Sequence, residues 1–244
     1  MDFETYEGTS SVLWAFYTTI NQEVFADAIL AVKERFFMPS FLIIPLAFLC
    51  GSLPFSVWLG KILLGLDVRT LGDGNPGATN AFKTGNKLFG LLVLLLDISK
   101  AALPVGWAYQ SLGIRGVPML LIAVAPILGH VFSPFLGFRG GKALATALGV
   151  WIGLSIWKLS LPAVVGVLVG TAFFTPSGWS VMIGLSAILA VILIWLPEPL
   201  FISIWIAEVI ILVWTHRRDL RQGIHLRPWL LKGISPRKPD TRNG

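Results

Sequence analysis

The chain has 244 residues, of which 55% are hydrophobic and only 13% charged, with a formal charge of +6. A soluble domain carries nearly twice that charged fraction, so too few polar groups remain here to cover a water-facing surface. The single cysteine, Cys50, excludes an intramolecular disulfide and any multi-cysteine metal site, and His130, His216 and His225 form no metal-binding pattern.

The chain begins with an acidic stretch. Residues 1–37 hold six acids and two bases, and Met1–Gly8 lacks the basic start of a signal peptide. Leu13, Tyr17, Ile20, Val24 and Ala28 recur on one helical face, while Glu23, Asp27 and Glu34 fall on another. This predicts an amphipathic helix lying at the membrane surface, with residues 1–37 as an extension that offers a contact for a partner protein.

A membrane helix needs about 20 mostly apolar residues. Seven such segments follow, near 38–62, 88–110, 117–133, 143–157, 159–175, 179–196 and 198–214. Pro118, Pro162, Pro197 and Pro199 sit at segment ends, where a missing N–H costs least. Pro45, Pro54, Pro104 and Pro126 lie inside and should kink their helices. The expected fold class is an all-α polytopic membrane protein of about seven transmembrane helices. Its domains are the extension, a seven-helix unit at 38–223 and a basic tail at 224–244.

Orientation follows from lysine and arginine. With seven crossings and a cytoplasmic C-terminus, the inner segments carry Lys61, Arg69, Lys83, Lys87, Arg139, Lys142 and eight more bases in residues 215–244. The outer loops carry only Arg115 and Lys158, and Lys33 and Arg35 of the extension run against the trend. The basic tail suits a surface of anionic lipid; it is too short for the basic face and aromatic platforms of a nucleic-acid binder.

This topology gathers four polar segments on the inner face. The first is Gly72-Asp73-Gly74-Asn75-Pro76-Gly77-Ala78-Thr79-Asn80, followed by Lys83. Small residues let backbone N–H groups approach an anion, although Gly, Asn and Pro also make ordinary turns. The second runs from Gly129-His130 to Gly137-Phe138-Arg139-Gly140-Gly141-Lys142. Paired glycines and a lysine at a helix start favour phosphate, but the spacing is not that of a Walker loop. The third is Thr215-His216-Arg217-Arg218-Asp219, and the fourth holds Ser177 and Ser180. Basic residues after a last helix are also routine topology signals. Asp97 and Lys100 share a helix face inside the membrane, either as a mutual ion pair or as a substrate contact.

Together these segments resemble the acyl-phosphate-dependent glycerol-3-phosphate acyltransferases of bacterial membranes, the PlsY family, from about Phe48 to Gly223. The resemblance also rests on Gly51-Ser52-Leu53-Pro54-Phe55, Leu96-Asp97 with Lys100, Val131-Phe132 and Ala145-Thr146-Ala147-Leu148-Gly149. It implies seven helices in the bacterial inner membrane and a cytoplasmic site. It implies transfer of a fatty acyl group from acyl phosphate to the 1-hydroxyl of glycerol 3-phosphate, giving lysophosphatidic acid and phosphate, with no metal or organic cofactor. Lys142, His216, Asn80 and Lys83 then carry the chemistry. Gly72, Asp73, Gly74, Asn75, Gly77, Thr79, Lys100, Arg139, Gly140, Gly141, Ser177, Ser180, Arg217 and Asp219 would hold substrate or phosphate.

Four positions depart from the family pattern. Asp73 stands for serine, Lys83 for arginine, Ala143 for glycine and Asp219 for asparagine. A carboxylate ~4 Å from a phosphate costs about 4 kcal/mol at an effective dielectric near 20. Asp73 would escape that cost by turning away, pairing with a cation or taking up a proton. Three readings follow: an acyltransferase of altered affinity, a divergent member with another phosphorylated or cationic ligand, and a silent homologue serving as a structural or assembly subunit. Thioester-dependent glycerolipid acyltransferases are set aside, because no histidine here has Asp four residues on. A transporter is set aside for want of inverted repeats and midplane charges.

Overall fold

The computed structural model describes residues 40–227 and Trp229. The expected amphipathic helix, the extension at 1–37 and most of the basic tail lie outside the described residues. Ten helices and a two-stranded ladder make up the described part. They are α1 (Ser40–Ser52), α2 (Phe55–Leu64), α3 (Ala78–Phe82), α4 (Lys87–Gly106), α5 (Gly116–Val131), α6 (Leu144–Ser155), α7 (Ser160–Phe173), β1 (Phe174–Thr175), α8 (Ser177–Trp195), α9 (Pro199–Thr215), α10 (Arg217–Leu220) and β2 (His225–Leu226).

Four helical stretches are long and apolar enough to cross a membrane: Leu42–Leu64, Lys87–Ser111, Gly116–Leu136 and Ser177–Trp195. Leu144–Ser155, Ser160–Phe173 and Pro199–Thr215 are shorter apolar helices. All seven fall on the apolar segments read from the sequence. Leucines 46, 88, 103, 168 and 193 and Ile210 are exposed. Such outward apolar side chains suit lipid, while Trp151, Met119, Ile122 and Ile204 fill the interior.

Lipid gives helices no hydrophobic reason to associate, so close packing needs small residues. Gly51 of α1 lies on the Pro126 backbone of α5, and Gly129 of α5 lies on that of Phe48. Gly149 and Gly153 bring α6 against α4 in the same way, and Gly166 meets Gly184 between α7 and α8.

Pro45, Pro104 and Pro126 lie within helices as expected. Pro54 does more than kink: the helix stops at Ser52 and a new one starts at Phe55. Carbonyls freed by such a break need other donors inside a membrane. Ser133 Oγ donates to Ser52 O at 2.6 Å, and Lys100 Nζ to Leu53 O at 3.3 Å.

A small apolar cluster of Val57, Val68, Ala81, Phe89 and Val93 supports the loop before α3. The ladder pairs Phe174 with Leu226 and Thr175 with His225, antiparallel, which ties the segment after α10 to the start of α8.

Candidate active site

Two polar segments meet at the ammonium group of Lys142, and a third joins them through Asp219. Asp73 Oδ2 lies 3.0 Å from Lys142 Nζ, and Asp219 Oδ2 lies 3.1 Å from it. Ser177 Oγ also donates to Asp219 Oδ2, at 3.2 Å. Asn80 Nδ2 donates to Asp73 Oδ1 and to Asn75 O, both at 3.0 Å. Thr215 Oγ donates to the Lys142 carbonyl at 3.2 Å, which fastens the end of α9 to the start of α6. Gly178 sits directly against the Asp219 and His216 side chains.

The charges respond to one another. Burial works against the Asp73 carboxylate, but hydrogen bonds from Lys142, the Asn75 N–H and Asn80 hold its pKa below the ordinary value. Burial opposes the Lys142 charge as well, and bonds to Asp73 and Asp219 push its pKa up. Of the escapes open to Asp73, the structure adopts pairing with a cation.

His216 is buried, and burial is the main cause of its lowered pKa, with the Lys142 charge acting in the same direction. Its Nδ1 lies 2.9 Å from Leu212 O. A carbonyl only accepts, so Nδ1 carries the proton and Nε2 keeps its lone pair. The imidazole is thus a neutral base, three residues before Asp219, the carboxylate that pairs with Lys142.

The glycine-rich segments work differently from expectation. The N–H groups of Gly140 and Gly141 donate to Val131 O and His130 O, each at 3.0 Å. Those of Gly74 and Gly77 bond Leu71 O and Asn75 O, and the Asn75 N–H bonds Asp73 Oδ1. These five donors close the loops and are not free to cradle an anion. Gly140 and Gly141 have no Cβ because the loop lies on the end of α5, where a methyl at Gly141 would collide with His130 Nε2. Anion attraction therefore falls on side chains and on the start of α6, whose N-cap Ala143 supplies no side-chain bond. Ala143 takes a φ of 63°, a left-handed conformation that a glycine would adopt without strain.

Lys83 Nζ and Asn80 Oδ1 both lie over Gly72, whose φ is 56°. Asn80 Oδ1 is buried with no partner among the described residues. Thr79, Lys83 and Arg139 are exposed.

Three expected contacts belong elsewhere. Lys100 is a core residue, not a phosphate ligand: its Nζ lies 2.8 Å from Asp97 Oδ1 and 2.6 Å from His130 Nδ1. An intramembrane ammonium needs such partners, and they use its donors. Thr146 Oγ also reaches His130 Nδ1, at 3.2 Å. Arg217 turns away, with its guanidinium 4.7 Å over the Trp214 ring and a bond to Trp214 O at 2.7 Å. Ser180 is buried where α8 meets Gly170 of α7, and its Oγ has no partner among the described residues.

Two residues have roles that no local pattern assigned. Thr215 bridges two segments, and only tertiary proximity reveals it. Glu208, a carboxylate inside α9, was visible as a charge in an apolar run; it corrects the reading that no such midplane charge exists.

Comparison with known proteins identifies the family. The family model described as glycerol-3-phosphate acyltransferase matches residues 41–225. A glycerol-3-phosphate acyltransferase of Anaeromyxobacter dehalogenans is 41% identical over 157 residues, covering 57% of this chain and 77% of the relative. One from Desulfovibrio desulfuricans is 34% identical over 192 residues, covering 77% of this chain and 83% of the relative. Among solved structures, PlsY (YgiH), an integral membrane glycerol 3-phosphate acyltransferase in its glycerol 3-phosphate form, aligns with a TM-score of 0.69 at 27% identity. That alignment covers 82% of this chain and 95% of the other. The lysophosphatidic acid form of the same protein gives a TM-score of 0.63. The chain is an integral membrane protein of the glycerol-3-phosphate acyltransferase family.

Proposed function

We propose that this chain moves a fatty acyl group from acyl phosphate to the 1-hydroxyl of glycerol 3-phosphate, giving lysophosphatidic acid and phosphate. The observation that carries the reading is the convergence of Asp73 and Asp219, the latter bonded by Ser177, on Lys142. Both substrates are phosphate anions, and Lys142 is the cation to which the polar loops lead. A substrate phosphate takes over the ammonium from the two carboxylates. Lys83 and Arg139, exposed nearby in sequence to the two glycine-rich loops, supply further positive charge.

The acyl donor is already activated, so the protein needs no nucleophile of its own. The acceptor hydroxyl oxygen attacks the acyl carbon. The new ester C–O bond forms as the C–O bond to phosphate breaks, and the phosphate leaves with the bonding electrons. His216 Nε2 takes the hydroxyl proton. Lys142 offsets the negative charge that builds on the departing phosphate. Holding both substrates in one orientation supplies much of the remaining acceleration.

The reading further places seven crossings in a bacterial inner membrane, with the site on the cytoplasmic face. The lysine and arginine asymmetry, fourteen bases against two, supports that orientation. A donor comparison tests the reaction. Purified protein should form lysophosphatidic acid with acyl phosphate and none with an acyl thioester. Transfer from the thioester alone would refute the donor assignment.

A further inference from the structure

Glu208 lies inside α9 with no exposed surface, and its Oε2 accepts a hydrogen bond from Trp151 Nε1 of α6 at 2.6 Å. Its other oxygen is buried without a partner among the described residues. None of the polar segments at the site includes it, and a carboxyl group in apolar surroundings is costly to keep. Trp151 is 1% exposed, and its ring meets that of Phe201 of α9 edge-on at 6.3 Å.

We propose that Glu208 is a positioning residue for acyl transfer: with Trp151 it fixes the register of α9 against α6, and so the placing of His216 against Lys142. The inference rests on the reaction proposed above. α6 starts just after Lys142, and α9 ends just before His216. The site ends of these helices are already joined by Thr215 and the Lys142 carbonyl. Glu208, Leu212 and Thr215 recur at intervals of four and three, so they share one helix face. Glu208 and Thr215 are two turns apart, about 10 Å along the axis.

One attachment leaves a helix free to tilt or slide about it. Two attachments on one face, about 10 Å apart, remove both freedoms. A leucine at position 208 would fill similar space, yet apolar contact has no direction. The bond from the indole N–H has a narrow geometry and selects one register. A buried polar pair is weak evidence for stability, and fixing one arrangement is the best-attested reason to retain it.

The test combines kinetics with a distance. Spin labels at Ala145→Cys and Arg218→Cys, in a Cys50→Ala background, report the separation of the start of α6 from α10, just past the end of α9. Glu208→Gln keeps an acceptor oxygen, so it should hold kcat/KM within about twofold and leave the distance distribution unchanged. Glu208→Leu should lower kcat/KM by roughly tenfold or more and broaden the distribution. Trp151→Phe combined with Glu208→Leu removes both polar partners, so the melting temperature should stay near that of the native chain. Its kcat/KM should nevertheless stay low. A double variant with native kcat/KM and an unbroadened distribution overturns the proposal. Should the native chain transfer no acyl group, the reaction reading fails by itself, and the distance distributions decide the positioning claim.

Discussion

The Asp73 carboxylate and the Lys142 ammonium meet at 3.0 Å, although one comes from the loop before α3 and the other from the loop before α6. Asp219 shares the same nitrogen. A phosphate must therefore displace carboxylates to reach Lys142. Serine and asparagine, which the resemblance implies for these positions, would offer no such competition. Asp73→Ser should lower the KM for glycerol 3-phosphate about threefold, and Asp73→Ser with Asp219→Asn about tenfold. Steady-state kinetics at fixed ionic strength measure this. An unchanged or higher KM in both variants would show that the carboxylates do not compete.

Lys142→Ala removes the cation on which both acids converge. Transition-state charge then loses its nearest partner, and kcat/KM should fall by about a hundredfold or more. Asp73 and Asp219 are left facing each other without it, so raised ionic strength should recover part of the substrate affinity. Full activity in the alanine variant would remove Lys142 from the reaction.

The site also sets a pH window. A histidine whose folded pKa lies below its unfolded value takes up protons first in the unfolded chain. Stability from His216 is therefore complete above about pH 6.5 and declines as pH falls through that value. Its basic form persists lower than in an ordinary histidine, so the acid limb of kcat/KM should lie below about pH 6.5. Asp73, with its lowered pKa, adds stability above about pH 4 that fades on further acidification. Lys142, with its raised pKa, adds stability below about pH 10 that fades as pH rises through its folded value. His216→Gln should abolish the acid limb together with most activity; an acid limb that survives it belongs to another group.

The Asp97–Lys100–His130 cluster is a separate support. Lys100→Met leaves Asp97 buried and unpaired, which should cost about 3–5 kcal/mol. Asp97→Asn with Lys100→Met should cost less, because no lone charge remains. Thermal unfolding in detergent compares the two. Activity should fall along with stability, since His130 lies beneath the Gly140–Gly141 loop that presents Lys142. Equal melting temperatures for the single variant and the native chain would contradict this role.

The seven apolar segments were legible because lipid demands long apolar runs, and composition alone records them. The converging site was legible because its residues cluster in four short segments of unusual polarity. Hydrogen-bond direction was not. Gly140 and Gly141 look like an anion cradle in sequence, yet their N–H groups serve His130 and Val131; the glycines permit a close approach of backbone to the end of α5. The Asp97–Lys100 pair was one of two readings open in sequence, beside a substrate contact; the further partners His130 and Leu53 are distant in the chain. Glu208 stood out as a charge in an apolar run, but its partner Trp151 lies on another helix. Pairings of this kind depend on how helices cross, which no local pattern encodes.

The most direct test supplies acyl phosphate and glycerol 3-phosphate to the purified protein in detergent and follows phosphate and lysophosphatidic acid together. Lys142→Ala and Asp73→Ser are run beside the native chain. Equal amounts of the two products from the native chain, loss in Lys142→Ala and a lower KM in Asp73→Ser are expected. No product from the native chain, with recovery only when both Asp73→Ser and Asp219→Asn are introduced, would contradict the central claim and mark the fold as one kept for a non-catalytic role.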